Sequence, residues 1–306
     1  MQNESEQQRL ISVGIFTYNR PEGLKNTLEY ITNQTYKNLE IIISDNCSPD
    51  SQVEKIAKEY AEKDNRIKYF KQNKNIGVVY NFKFVLEKAS GEYFMWAADD
   101  DEWHPEFIEI CLSKVKNKES VFTGFKSLYR ENQKTEIFKM PDLSDKLSLH
   151  RRIINFLNAH SDIMFYGLHH RESILYFLKT KWDFDKVSYY FILKLLINND
   201  FIIIPDKIYF TDGIEGTEYK CKPLKPQKGR LLEYRPFLSE CINLILWSKK
   251  LKANEKLSII KTLIKVVSMW FQLREKDYRP NQVKLVKFIT LILKRVFKIK
   301  ELIILH

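Results

Sequence analysis

A chain of 306 residues with 44% hydrophobic and 29% charged side chains is long enough to bury a sizeable core and too apolar to be disordered. Its formal charge of +11 is uneven: residues 240–306 carry 15 Lys and Arg against 5 Asp and Glu, so the rest is nearly neutral and any argument for an anionic partner belongs to the tail. Four scattered cysteines, Cys47, Cys111, Cys221 and Cys241, form no CxxC pair and disfavour zinc or a disulfide framework; the polar start MQNESEQQRL lacks a signal-peptide core, and no uncharged apolar run has membrane-span length.

In chain order, residues 10–16 form an apolar run that predicts a first strand ending in Thr17-Tyr18-Asn19-Arg20-Pro21. Proline at a first helical position, then Leu24, Leu28 and Ile31 at helical spacing, predicts a helix. Residues 39–44, LEIIIS, predict a second buried strand; the turn Asp45-Asn46-Cys47-Ser48-Pro49-Asp50 follows, then a helix through Val53, Ile56, Ala57 and Tyr60. A third strand over 67–70 leads through Asn73, Asn75 and Gly77 into a helix carrying Val78, Phe82, Val85 and Leu86. Residues 93–97 predict a fourth strand, which ends in Asp99, Asp100 and Asp101, ahead of a helix beginning near Pro105.

Strand, turn and helix repeated in this way predict an α/β fold with a mainly parallel sheet between helices. Ligands bind such sheets beyond the carboxyl ends of the strands, where three polar clusters converge: 17–20, 45–46 and 99–101. Three adjacent carboxylates repel one another unless a cation joins them, and hard oxygen ligands suit Mg2+ or Mn2+. The same triplet also reads as an acidic turn capping the next helix. There is no GxGxxG after the first strand and no GxxxxGK[ST], so a dinucleotide fold and a P-loop are disfavoured, and a bound diphosphate would lean on the metal.

The runs SVGIFTYNRPEGLKNTLEYITNQTYKNLEIIISDNCSPD and NKNIGVVYNFKFVLEKASGEYFMWAADDDEWHPEF closely resemble the family 2 glycosyltransferases of the nucleotide-sugar-binding GT-A fold. The resemblance covers residues 10–110, with a weaker echo over 160–211. It implies a metal-dependent hexosyltransferase, inverting in outcome, that moves a sugar from a nucleotide diphosphate sugar such as a UDP-sugar to a hydroxyl acceptor. Thr17, Tyr18, Asn19, Arg20, Asp45 and Asn46 match the positions that hold the nucleotide, Asp45 accepting from a base N–H. Asn75, Gly77 and Asn81 would line the next face, Gly77 permitting close backbone approach. The triplet corresponds to the family's D-x-D motif, although the usual first Asp falls on Ala98. Asp100 is then the leading metal ligand, and Asp99 and Asp101 are metal or ribose contacts.

A catalytic base must lie within reach of the acceptor hydroxyl. A gapless overlay places Val187 and Ser188 where the family's E-D pair stands, so the nearest carboxylates, Asp185 and Asp183, are the candidates, and both also read as helix-start carboxylates without chemistry. Trp103, in the W-x-P after the triplet, and His170, in a predicted strand over 162–170, are acceptor-site candidates. Residues 207–213, KIYFTDG, predict the strand that ends the sheet.

The domains expected are a catalytic domain over 1–215, a linker or mobile loop over 216–229 and a basic helical region over 230–306. In the last, Leu257, Ile260, Ile264, Val267 and Phe271 form one apolar stripe beside Lys256, Lys261 and Lys265. Leu285, Ile289, Ile292, Val296 and Ile299 form a second among Lys284, Lys287, Lys294, Arg295, Lys298 and Lys300. With Trp247 and Trp270 as interfacial rings, these helices suit an anionic membrane surface; packing within the protein and self-association as a homo-oligomer are the competing readings. Nucleic acid is disfavoured, because no recognition motif accompanies the charge. The resulting expectation is a cytoplasmic enzyme, peripheral on the inner face of the plasma membrane, acting on a glycan or lipid-linked acceptor in cell-surface polysaccharide or glycolipid synthesis. A non-catalytic nucleotide-sugar-binding or scaffold protein is the alternative.

Overall fold

The computed structural model describes residues 9–115, 119–129, 134–137, 141–144, 146–159, 163–179, 187–198, 201–212 and 230–274. The chain divides into two units, Met1–Lys220 and Cys221–His306.

In the first unit the expected strand–helix repeats are present. They run β1 (Ile11–Thr17), α1 (Pro21–Thr32), β2 (Leu39–Asp45), α2 (Ser51–Lys63), β3 (Ile67–Lys71), α3 (Val78–Lys88) and β4 (Tyr93–Ala98). β2 and β4 are buried at every position and β1 at all but one, as strands covered on both faces must be. β3, at the sheet edge, alternates more. Asp50 caps α2 by accepting from the Gln52 N–H. Gly77, with φ 80°, turns the chain into α3 from the left-handed side.

The chain continues through β5 (Glu102–Trp103), α4 (Phe107–Lys114), β6 (Ser120–Tyr129), β7 (Lys134–Ile137) and α5 (Leu149–Ala159). A 3-10 turn over Ile163–Tyr166 precedes β8 (His169–His170) and the short α6 (Arg171–Ile174). A second 3-10 turn, Leu175–Lys179, α7 (Val187–Asn198) and β9 (Phe201–Asp212) complete the unit. The first sheet has the order β3-β2-β1-β4-β8, parallel except for β8; the second has the order β5-β9-β6-β7. Trp96 of β4 stacks on Phe165 and meets Phe94, Phe177 and Phe191 edge-on, which joins the 3-10 turns and α7 to the first sheet.

Two expected strands are placed differently. Residues 162–170 supply only the two-residue β8, because the apolar run before it coils into a 3-10 turn whose Phe165 fills the space against Trp96. The KIYFTDG segment is the second half of β9, which pairs with β5 and β6 in the second sheet instead of ending the first. The β6–β9 register jumps from Thr123↔Ile204 to Gly124↔Ile208, so Pro205, which has no N–H for the ladder, falls in a bulge.

In the second unit, α8 (Arg230–Trp247) and α9 (Ala253–Arg274) are joined by a short turn. Ile260, Ile264 and Val267 of the expected apolar stripe are buried and Leu257 is half-buried, so the described part of that stripe faces the interior more than a membrane. The second stripe, over 285–299, and the expected linker, over 216–229, lie outside the described residues, as do the side chains of Trp270 and Phe271. Among the described residues no helix is long and apolar enough to cross a membrane.

Candidate active site

Register builds the site. Parallel pairing sets Thr17 opposite Asp45 and Asp45 opposite Lys71, and Phe16 opposite Ala98, so four strands finish level with one another. The segments leaving them, 17–20, 45–48, 72–77 and 99–101, therefore meet along one edge of the sheet, the position at which parallel α/β sheets bind ligands.

The three carboxylates of the triplet stand in different surroundings. Asp99 is 5% exposed; it accepts from the Thr17 hydroxyl and from the Arg20 guanidinium, both at 2.7 Å. Burial pushes its carboxyl up to about 6 against the pull of Arg20, and the adjoining Asp100 charge adds to the rise. The same Arg20 nitrogen donates to Asp100 at 2.9 Å, so one guanidinium spans both acids. Asp100 is partly open, and Asp101 is buried. The turn is held from beneath by α1. The Thr27 hydroxyl donates to the Ala98 carbonyl at 3.0 Å, and Gly23 lies so close that a Cβ there would be 2.0 Å from the Asp99 carbonyl oxygen. Neither Thr27 nor Gly23 stands out in the sequence. The only signal is a glycine inside a helix two residues after the proline start, where a larger residue would favour the helix more.

The second cluster is zipped to the first. Asn19 and Cys47 adopt left-handed backbone, φ 57° and 63°, and the Asn19 N–H donates to the Ser48 hydroxyl at 2.8 Å. Asp45 accepts from the Ser48 N–H at 2.8 Å and from the Tyr69 hydroxyl at 2.9 Å. Having no exposed surface, its carboxylate shapes this turn, and burial with the Asp45 charge holds the Tyr69 hydroxyl well above its ordinary range. Asn46 donates to Asn75 at 3.1 Å and accepts from the Ile76 N–H at 2.8 Å, which brings the Asn75–Gly77 loop alongside. Asn75 and Gly77 are exposed there. Asn81, 2% exposed, bonds to Ser44 and fastens α3 to β2 from inside.

Tyr18, 46% exposed, with Asn19, Arg20, Asn75, Gly77 and Asp100, forms the open part of the cluster; Thr17, Asp45, Asn46, Asn81, Asp99 and Asp101 are its buried support. Trp103 is 1% exposed and pairs with Phe210, so its ring belongs to the core beneath the turn. His170 pairs with Tyr93 at the opposite end of β4. About 20 Å of strand separates it from Asp99, so it stands apart from the cluster. Asp183 and Asp185 lie outside the described residues.

The donor set limits how a divalent ion could be held. Among the described residues no group of three His, Cys, Asp or Glu makes a metal cage. Asp100 is partly open, and Mg2+ is commonly held by one or two carboxylates together with substrate phosphates. The residues therefore fit a cation that Asp100 would share with the phosphates of a bound ligand.

Comparison with known proteins bears on the family and the fold. The family model for Glycosyl transferase family 2 matches residues 12–181. A GalNAc(5)-diNAcBac-PP-undecaprenol beta-1,3-glucosyltransferase of Campylobacter jejuni is 40% identical over 106 residues, 34% of this chain and 34% of that protein. An uncharacterized glycosyltransferase of Rickettsia conorii is 33% identical over 138 residues, 44% of this chain but only 22% of its own length. The chain thus spans about a third or less of these relatives. Among solved structures, S. aureus TarS 1-349 in complex with UDP-GlcNAc superposes with a TM-score of 0.71 at 18% identity, covering 94% of this chain and 82% of that one. A mannosyltransferase of Pyrobaculum calidifontis in complex with GDP-Man and Mn2+ gives 0.51 at 12% identity, covering 96% and 83%. At such identities the likeness speaks to the fold, and the GT-A arrangement expected from the sequence is the one observed.

Proposed function

Since the chain belongs to glycosyl transferase family 2, we propose that it transfers a sugar, with inversion, from a nucleoside diphosphate sugar of the UDP class to a hydroxyl acceptor. The observation that carries the reading is Arg20 spanning Asp99 and Asp100 at the level ends of β1 and β4. A fixed cation beside a partly open carboxylate at the strand ends supports a diphosphate lying there, and preorganised charge of that kind lowers barriers most. Tyr18, Asn19, Asn75 and Gly77 would border the nucleoside, while the buried Asp45 and Asn46 hold its turn in shape. Asp100 and the donor phosphates would together hold Mg2+ or Mn2+, which would supply charge withdrawal from the departing nucleoside diphosphate. Asp185, or failing it Asp183, is our assignment for the base that takes the acceptor proton.

The acceptor proposed is a lipid-linked glycan in cell-surface polysaccharide or glycolipid synthesis, which would place the protein peripherally on the inner face of the plasma membrane. The undecaprenol-linked substrate in the name of the Campylobacter relative supports this. The test is transfer and donor hydrolysis over a panel of UDP-sugars with Mn2+ or with a chelator, comparing the native protein with Asp100→Asn. We expect loss of activity with the chelator, and a fall of roughly 100-fold or more in kcat in the variant. Undiminished turnover in both conditions would sink the mechanism. Nucleotide binding without turnover, whatever the donor and acceptor, would instead favour a non-catalytic sugar-nucleotide binder.

A further inference from the structure

The turn between α8 and α9 presents a feature that the catalytic reading does not use. Trp247, the last residue of α8, is 83% exposed, the highest among the exposed large hydrophobic side chains of the described residues. Its surroundings are not loose. Ser248 is buried and donates its N–H to the Ile245 carbonyl, Leu251 is 6% exposed, and the Lys256 ammonium closes the helix end by donating to the Leu246 carbonyl at 2.7 Å. The indole is therefore held outward by a packed turn. Lys249, Lys250 and Lys252 follow it, all exposed, and no Asp or Glu occurs between residues 241 and 254. On the same unit Lys261 and Lys265, one helical turn apart on α9, are also exposed, while the apolar side of α9 is buried.

A helix that capped itself for stability alone would need its basic residues and not the ring. The Ile245 and Leu246 carbonyls near the end of α8 already have partners, and the apolar rings of an indole gain nothing from water, although its N–H can donate to it. Tryptophan beside lysines is instead the pairing that seats at the boundary between lipid headgroups and acyl chains, the ring in the apolar layer and the ammonium groups on anionic headgroups. We infer that the α8–α9 turn is the contact point of this protein with an anionic lipid surface, Trp247 entering the interface and Lys249, Lys250 and Lys252 meeting the headgroup phosphates. It differs from the mode expected of the α9 stripe, which is buried where it is described, and leaves the stripe over 285–299 aside. It deepens the proposal of a peripheral location but does not depend on glycosyl transfer.

The experiment is co-sedimentation of the full chain with vesicles of phosphatidylcholine alone or with about 30% phosphatidylglycerol, at low salt, in parallel with light scattering without lipid. The native protein should partition onto the anionic vesicles and not the neutral ones. Lys249→Glu should weaken that partition about fivefold or more, since a basic residue at such a surface is worth about that factor. Trp247→Ser should weaken it further and abolish the quenching of tryptophan emission by brominated lipid. Both positions are exposed and outside the donor site, so turnover on a water-soluble acceptor should be unchanged, which separates failure of this inference from failure of the catalytic reading. Equal binding of native and variant proteins would overturn it. So would a lipid-free dimer that Trp247→Ser dissociates, because the ring would then be an interface between copies.

Discussion

A methyl group at position 23 would meet the Asp99 carbonyl oxygen at 2.0 Å, and neither partner is the loose end of a side chain. Gly23→Ala must push α1 away from the acidic turn, stretching the bonds from Thr17 and Arg20 to Asp99. Overpacking of this kind costs about 1–3 kcal/mol. The variant should therefore melt several degrees lower and lose donor turnover out of proportion to its stability; unchanged melting and turnover would refute the close-packing account. His169 is the other residue whose setting makes a sharp prediction. Buried between Trp96 and Phe191, with its Nε2 paired to the Phe165 carbonyl, it is held down to about 4 by burial. Its folded value lies below the unfolded one, so the unfolded chain takes up the proton first as pH falls. Stability should be level in this respect above pH ~6.5 and decline from there toward pH ~4, by on the order of 3 kcal/mol in all. Urea melts across that range should show a shallower decline in His169→Gln.

Among the elements, the four parallel strands of the first sheet are tied together at the end opposite the site by one carboxylate. Glu40 of β2, 6% exposed, accepts from the Ser12 hydroxyl of β1, from the N–H groups of Ser90 and Gly91 ahead of β4, and from Lys68 of β3. Burial pushes its carboxyl up, but the Ser12, Ser90 and Lys68 hydrogen bonds outweigh this and hold it below its ordinary value. Glu40→Ala strands several buried donors at once and should cost about 3 kcal/mol or more. Its signature is a large fall in melting temperature with little change in kcat at low temperature, the reverse of Asp100→Asn. These strands were legible because central parallel strands are almost wholly apolar, and the clusters at their ends could be placed from the strands alone. The second sheet was not: β6 mixes polar and apolar residues without strict alternation, and Pro205 breaks the pattern of β9, whose bulge depends on a partner some eighty residues earlier in the chain. For the same reason Thr17, Arg20 and Asp99 stood out, whereas Gly23, Thr27, Ser48 and Tyr69 did not. Their roles come from contacts across the fold that no local spacing records.

For the molecule as a whole, the uneven charge separates two kinds of binding. Residues 1–239 are nearly neutral, so on the proposed function the donor would be held chiefly by Arg20 and a shared cation at contact distance, with little help from the charge of that part of the chain. The unit containing Trp247 carries most of the surplus charge, and the binding to an anionic surface inferred for it would be of the screened, additive kind. One titration with NaCl from about 50 to about 500 mM, over which the Debye length shrinks from about 14 to about 4 Å, should therefore treat the two partners differently. Partition onto anionic vesicles should drop by about tenfold or more, while the thermal stabilisation by UDP with Mn2+ should persist. At a hundredfold excess over Kd that stabilisation is about 2.7 kcal/mol, a shift of several degrees, and it should vanish with a chelator or in Asp100→Ala at any salt. A nucleotide shift as steeply lost to salt as vesicle binding would mean that the donor is held by diffuse charge and not by the acidic turn.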